Sequence, residues 1–175
     1  MKINSCIFIL MKEKVDIIDV LISDWSRERP DLDSQAMHIV GRILILGKSL
    51  EKKANQALGQ FGIHYTDLDV LATLRRSGPP FELTPKELMQ SVLITSGAMT
   101  ALLDRLTTLE LIYRSPDPTD GRIKKAGLTE KGIDVIDRAI EFRFQEAHNS
   151  IDALTKKEKE LLIPLLKKLL ESLAA

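Results

Sequence analysis

The sequence predicts a mainly α fold of α+β type, in which a helix-turn-helix pair and a short hairpin are flanked by long helices. Three observations lead there. Apolar residues recur at helical spacing through most of the chain, which marks amphipathic helices. Capping signals open several of these runs, at Thr84, Thr95, Thr129 and Thr155. There a hydroxyl can accept a bond from an orphaned backbone N–H. One stretch, Pro116-Asp117-Pro118-Thr119-Asp120-Gly121, is dense in turn formers and lies between two short strand-like runs, as a hairpin requires.

Val15 to Trp25 places Ile18, Leu21, Ile22 and Trp25 on one helical face, and Pro30 stops the run. A long helix is expected over 34–61, striped by Ile39, Ile43, Leu46, Leu50, Ala54, Ala57 and Leu58. It exceeds the ~11–12 residue mean of globular helices, so it either spans the domain or reaches into a partner subunit. Gly59 and Gly62 break it. Thr66 and Asp69 suggest a capping box for a helix over 66–76 that turns Leu68, Leu71, Ala72 and Leu74 to the core. Thr84-Pro85-Lys86-Glu87 is the clearest cap: hydroxyl at the N-cap, proline where no N–H is needed, and an acid reaching back. Its short helix ends near Gln90.

The next helix, over 95–109, buries Met99, Leu102, Leu103, Leu106 and Leu109. Its other face carries Ser96, Gly97, Thr100, Ala101, Asp104, Arg105 and Thr108. That face begins small and hydroxylic, so its first turns can lie close to another surface. A DNA major groove admits such a helix. Strands follow at 111–113 and 123–128, and the tip between them carries Arg122, Lys124 and Lys125. This is the outline of a winged helix-turn-helix. From spacing alone, the stretch is equally compatible with a helix and hairpin that only complete a small core.

After the hairpin, Thr129 caps a helix striped by Ile133, Ile136, Ile140, Phe144, Ala147 and Ile151. Thr155 and Glu158 form a further box, and the last helix repeats leucine pairs from Leu161 to Leu173, with Pro164 inside the pattern. That is more leucine than a lone terminal helix should show to water, so a dimer interface is expected, with covering of its own domain as the alternative. The expected organisation is an arm over 1–14, N-terminal helices over 15–61, a helix-turn-helix and hairpin lobe over 62–128, and dimerisation helices over 129–175.

The apolar fraction of 44% supports a real core, and 175 residues fit one domain with an added arm. The formal net charge is zero, so any nucleic-acid site must be a local patch. One exists: Arg114, Arg122, Lys124, Lys125 and Lys131 outnumber Asp117, Asp120 and Glu130. A single cysteine, Cys6, leaves no intramolecular disulfide or cysteine zinc cluster, and the cytoplasm is the expected compartment. The apolar run 6–11 is too short for a membrane span or signal core, so no membrane partner is expected. Met11 begins a second plausible start, and residues 1–10 are given no function.

His38, His64 and His148 have no metal-binding spacing, so neither metal nor cofactor is expected. No phosphate-cradling glycine loop or Gly-x-Ser-x-Gly elbow appears, and no enzyme activity is expected.

The order of signals from Thr84 to Gly132 resembles the MarR (multiple antibiotic resistance regulator) family. The residues that carry it are Thr84 to Leu88, Thr95 to Thr100, Leu103-Asp104-Arg105-Leu106, Leu111 to Arg114, Asp117 to Arg122 and Leu128 to Gly132. The flanking helices match the family plan from about residue 15. The resemblance implies a homodimer of winged-helix subunits, joined by terminal helices, that binds pseudo-palindromic double-stranded operators, usually to repress. DNA contacts would then fall to Thr95, Ser96, Gly97, Thr100, Ala101, Arg114, Arg122 and Lys124. Arg122 would enter the minor groove and Asp120 would brace the wing. Gly121 departs from the family, which usually has a second arginine there.

A subgroup responsive to urate or phenolic ligands carries an added first helix with a tryptophan, and the Trp25 helix looks like it. That likeness implies a small aromatic, phenolic or anionic effector held by Trp25, Asp69 and Arg105. Ala101 and Leu102 stand where such proteins often carry a further arginine, which leaves an anionic ligand fewer partners. Cys6 lies well ahead of the helix where some family members hold a peroxide-sensing cysteine. The near-neutral charge and the missing wing arginine leave a second reading open, a winged-helix protein-interaction module without sequence-specific DNA binding.

Overall fold

The computed structural model describes residues 15–92, 96–117 and 122–173. It has seven described α-helices and a three-stranded antiparallel sheet. The chain separates into two compact units, residues 1–49 and 50–175.

In the first unit, α1 spans Ile17–Glu28. Its N-cap is Asp16, whose side chain accepts the Ile18 and Asp19 N–H groups at 2.8 and 3.1 Å, while Asp19 accepts the Asp16 N–H at 3.0 Å. The helix ends just before Pro30, as the proline requires. α2 (Met37–Leu58) begins in this unit and meets α1 through a close approach. A Cβ on Gly41 would lie 2.7 Å from the Ile18 side chain, so glycine is what lets the helices touch. Arg42 fastens the same contact by reaching Asp16 at 2.8 Å and Asp19 at 2.6 Å.

The sequence reading gives α2 the range 34–61, and the structure shortens it at both ends. At its end the chain tightens into a 3-10 turn, Gly59–Phe61, and Gly62 closes it at φ 68°, a left-handed angle that glycine adopts without strain. The expected stripe is buried only at Ala54 and Leu58, while Ile39, Ile43, Leu46 and Leu50 are exposed.

The second unit holds the core. α3 (Tyr65–Arg76) is capped two residues earlier than the Thr66–Asp69 box implies. Asn55 accepts the Tyr65 N–H at 2.8 Å, and Asp67 rather than Asp69 accepts the N-cap His64 N–H, at 2.8 Å. Leu68, Val70, Leu71 and Leu74 are buried. α4 (Pro85–Ser91) realises its box: the Glu87 N–H donates to Thr84 Oγ1 at 3.2 Å, and the Thr84 N–H donates to Glu87 Oε2 at 2.8 Å. α5 spans Ser96–Thr108. Met99, Leu103 and Leu106 are fully enclosed beside Leu58, Leu71, Leu88 and Ile136, each such burial contributing ~1.5–3 kcal/mol.

The sheet runs β1 (Glu82–Leu83), β3 (Lys124–Leu128), β2 (Ile112–Pro116). β1 is a strand the sequence reading lacks. α6 (Glu130–Ser150) is capped by Thr129, which accepts the Gly132 N–H at 2.9 Å. It is tied to α3 by Arg75 and Asp137 at 2.7 Å. α7 (Lys156–Leu173) carries Pro164 inside it and has no buried residue. Among the described residues no helix is long and apolar enough to cross a membrane.

Candidate nucleic-acid interface

α5 is positioned by its apolar face, so its opposite face is left outward. Gly97, Thr100, Ala101, Asp104 and Thr108 are all exposed there. Thr95 lies outside the described residues, as does the Ser96 side chain. Thr108 turns its hydroxyl back to the Asp104 carbonyl at 3.0 Å, which commits that hydroxyl to its own helix.

The far end of α5 is held by polar contacts. Arg105 turns to α3, where Asp67 is fully buried, with Nε 3.2 Å and Nη2 3.1 Å from Oδ2. Asp67 Oδ1 is enclosed without a hydrogen-bond partner. Lys131 donates to the Leu109 carbonyl at 2.9 Å and to Glu110 at 3.3 Å. A cation at a helix C-terminus suits the macrodipole, so Lys131 works on the helix end.

The wing is the β2–β3 hairpin. Tyr113 and Gly127 face each other across it, and Glu82 faces Gly127 from the other side. The tyrosine lies over the glycine and donates to Glu82 Oε1 at 2.8 Å. That bond to a carboxylate raises the phenol's pKa above its ordinary value, and partial burial adds to the effect. Ser115 donates to the same oxygen at 3.3 Å.

The base of the wing loop is closed by the Asp117 N–H, which donates to the Ile123 carbonyl at 2.8 Å. The Asp117 carboxylate pairs with Lys125 at 3.2 Å. The expected brace, Asp120, lies outside the described residues. Arg122 and Lys124 are exposed. Arg114 is half-buried on β2 opposite Ala126, with Nη1 enclosed and without a hydrogen-bond partner.

The three expected effector residues are distributed as follows. Trp25 is exposed on α1, in the unit of residues 1–49. Asp69 and Arg105 are in the other unit, where Arg105 is engaged by Asp67. Asp69 is half-buried on α3. Burial raises its carboxyl pKa, opposed by the charges of Arg143 and Arg76. Among the described residues no group of three His, Cys, Asp or Glu side chains is arranged to hold a metal.

Sequence reasoning missed Asp67, Asp117 and the Glu82–Tyr113 pair as parts of this site. Asp67 had a signal, an acid three residues after His64, but the Thr66–Asp69 spacing competed with it. The other two depend on pairings across the sheet.

A MarR-family model matches residues 61–123. The HTH-type transcriptional regulator PecS of Dickeya dadantii is 27% identical over 156 residues, covering 89% of this chain and 93% of the relative. The multiple antibiotic resistance protein MarR of Salmonella typhimurium is 30% identical over 141 residues, covering 80% and 96%. Among solved structures, a mutant MarR from E. coli complexed with operator DNA superposes with a TM-score of 0.68 at 26% identity, covering 83% of this chain and 97% of that one.

Proposed function

Because this chain belongs to the MarR family of winged helix-turn-helix transcriptional regulators, we propose that it acts as a homodimer that binds a pseudo-palindromic operator and represses transcription until a small aromatic effector releases it. The observation that carries the reading is the outward face of α5, small and hydroxylic through Gly97, Thr100 and Ala101, followed by a hairpin that presents Arg122 and Lys124. Small side chains let a helix approach base edges closely, and cations on the hairpin match phosphate or a narrow minor groove.

In this reading Thr95, Ser96, Gly97, Thr100 and Ala101 face the major groove. Arg114, Arg122 and Lys124 contact the backbone and minor groove, and Asp120 braces the wing.

The dimer is supported by two apolar faces that the protomer does not cover. α2 exposes Ile39, Ile43, Leu44 and Leu46, and α7 exposes Leu161, Leu165, Leu166 and Leu170. Contiguous exposed apolar surface of this kind marks an interaction site. Two-fold pairing sets two reading helices ~34 Å apart, one helical turn of DNA.

An effector acts only through different affinity for the operator-bound and released states, with Trp25 as a proposed contact. Asp69 and Arg105 complete the proposed effector set.

The test is a salt titration of binding to the DNA beside this protein's own gene. Saturable protection of a palindrome that weakens steeply as salt rises supports the reading. Binding no tighter than to random duplex overturns it.

A further inference from the structure

Beside Trp25 the unit of residues 1–49 holds a cavity of about 360 Å³, within the ~300–1,000 Å³ of small-molecule sites. Its wall is apolar, built from Ile18, Leu21 and Ile22 on α1 with Leu32 and Met37 opposite. Its polar lining is Asp33 and Ser34, and none of the lining residues is a cation. Asp33 Oδ1 accepts the Gln35 N–H at 2.9 Å, which fixes the carboxylate at the rim.

The surroundings are acidic as well. Between Asp16 and Met37 stand six acids, Asp16, Asp19, Asp24, Glu28, Asp31 and Asp33, against Arg27 and Arg29. Both arginines are committed: Arg27 pairs with Asp24, and Arg29 grips Asp31 at 2.8 and 2.6 Å. Arg42, on α2, is held by Asp16 and Asp19. An aryl carboxylate entering here would lose hydration beside the Asp33 carboxylate with no lining cation to meet it. An aryl ammonium would lay its ring on the aliphatic wall, set its charge at Asp33 and gain attraction from the Trp25 face.

We propose that this cavity binds a small aromatic cation of the arylalkylamine class, through its aliphatic wall, Trp25 and the Asp33 carboxylate, and discriminates against aryl carboxylates. The proposal rests on the effector reading above and narrows its ligand class.

Trp25 is the chain's one tryptophan, so the site carries its own reporter. Fluorescence of the full chain is titrated with phenethylamine and with phenylpropionate at matched ionic strength, and calorimetry repeats both. The expected result is a saturable response to the amine and binding of the carboxylate weaker by about tenfold or more. Asp33→Asn keeps a carbonyl oxygen for the Gln35 N–H and weakens only the amine, severalfold.

Equal or tighter binding of the carboxylate overturns the proposal. So does an amine that gives no saturable signal by either method, or one indifferent to Asp33→Asn. Operator binding is measured alongside. An amine that binds the cavity and leaves operator affinity unchanged upholds this proposal and removes the effector reading. A different aromatic that releases the operator, while the amine fails to bind, does the reverse.

Discussion

Arg105 of α5 points both Nε and Nη2 at a single oxygen of Asp67 on α3, at 3.2 and 3.1 Å. The carboxylate is 1% exposed and the guanidinium 41%. One arginine at the solvent edge therefore compensates an acid inside the core and fixes α5 to its neighbour α3. Arg105→Ala leaves that acid uncompensated. The expected loss is on the order of 2 kcal/mol, below the ~3–5 kcal/mol of a fully enclosed pair because Arg105 is partly hydrated. Urea unfolding at fixed protein concentration reads it as a lower midpoint with unchanged slope. An unchanged midpoint contradicts the assignment.

The wing has its own lock in Tyr113, Gly127 and Glu82. A Cβ at Gly127 would stand 2.5 Å from the tyrosine ring and 2.9 Å from the Glu82 side chain. Gly127→Ala is expected to displace the ring, break its bond to Glu82 and lower operator affinity by loosening the wing. Tyr113→Phe removes the bond alone, which contributes less than about 1 kcal/mol at a half-exposed site. The phenol's pKa is raised in the folded state, so its contribution is fully present below the ordinary tyrosine value near ~10. It is lost as pH rises through the folded value. Absorbance titration should show a late-titrating tyrosine in the wild type that Tyr113→Phe removes.

Asp69 shows the opposite economy for a carboxylate. Burial raises its pKa in the folded state despite Arg143 and Arg76, so its ionised form is less favourable folded than unfolded. That penalty is absent below the ordinary aspartate value, grows as pH rises through the window up to the folded value, and is complete above it. Asp69→Asn is therefore expected to raise the melting temperature near pH 7 and to make little difference in acid. A lower melting temperature near pH 7 would show that Arg143 and Arg76 outweigh the burial.

Several elements were legible because their chemistry is local. The caps at Thr84, Thr129 and Thr155 each need only a hydroxyl and neighbouring backbone N–H groups, and all three open helices where the sequence places them. The buried face of α5 follows from its spacing. β1 was not legible, because two residues carry no periodicity and Glu82 is a strand residue only by pairing with Gly127. Asp67 and Arg105 are 38 residues apart, and nothing in either local stretch announces the other. The α2 stripe is legible as apolar, but spacing alone does not say what covers it: Ile39, Ile43, Leu46 and Leu50 are exposed within the protomer, while Ala54 and Leu58 are buried.

The leucines of α7 test the dimer. No residue of that helix is buried, so polar substitution should spare the fold of the protomer. Leu161→Glu with Leu165→Glu, at positions 66% and 59% exposed, is expected to give a folded monomer by sedimentation with much weaker operator binding. A dimer of wild-type affinity contradicts the interface.

The most direct test of sequence-specific binding is Arg122→Ala, measured on operator and random duplexes across a salt series. The reading predicts an intact dimer whose operator affinity falls about tenfold or more and whose salt dependence becomes shallower by about one unit. Operator affinity and salt slope both equal to wild type would contradict it and return the winged lobe to a role in protein contacts.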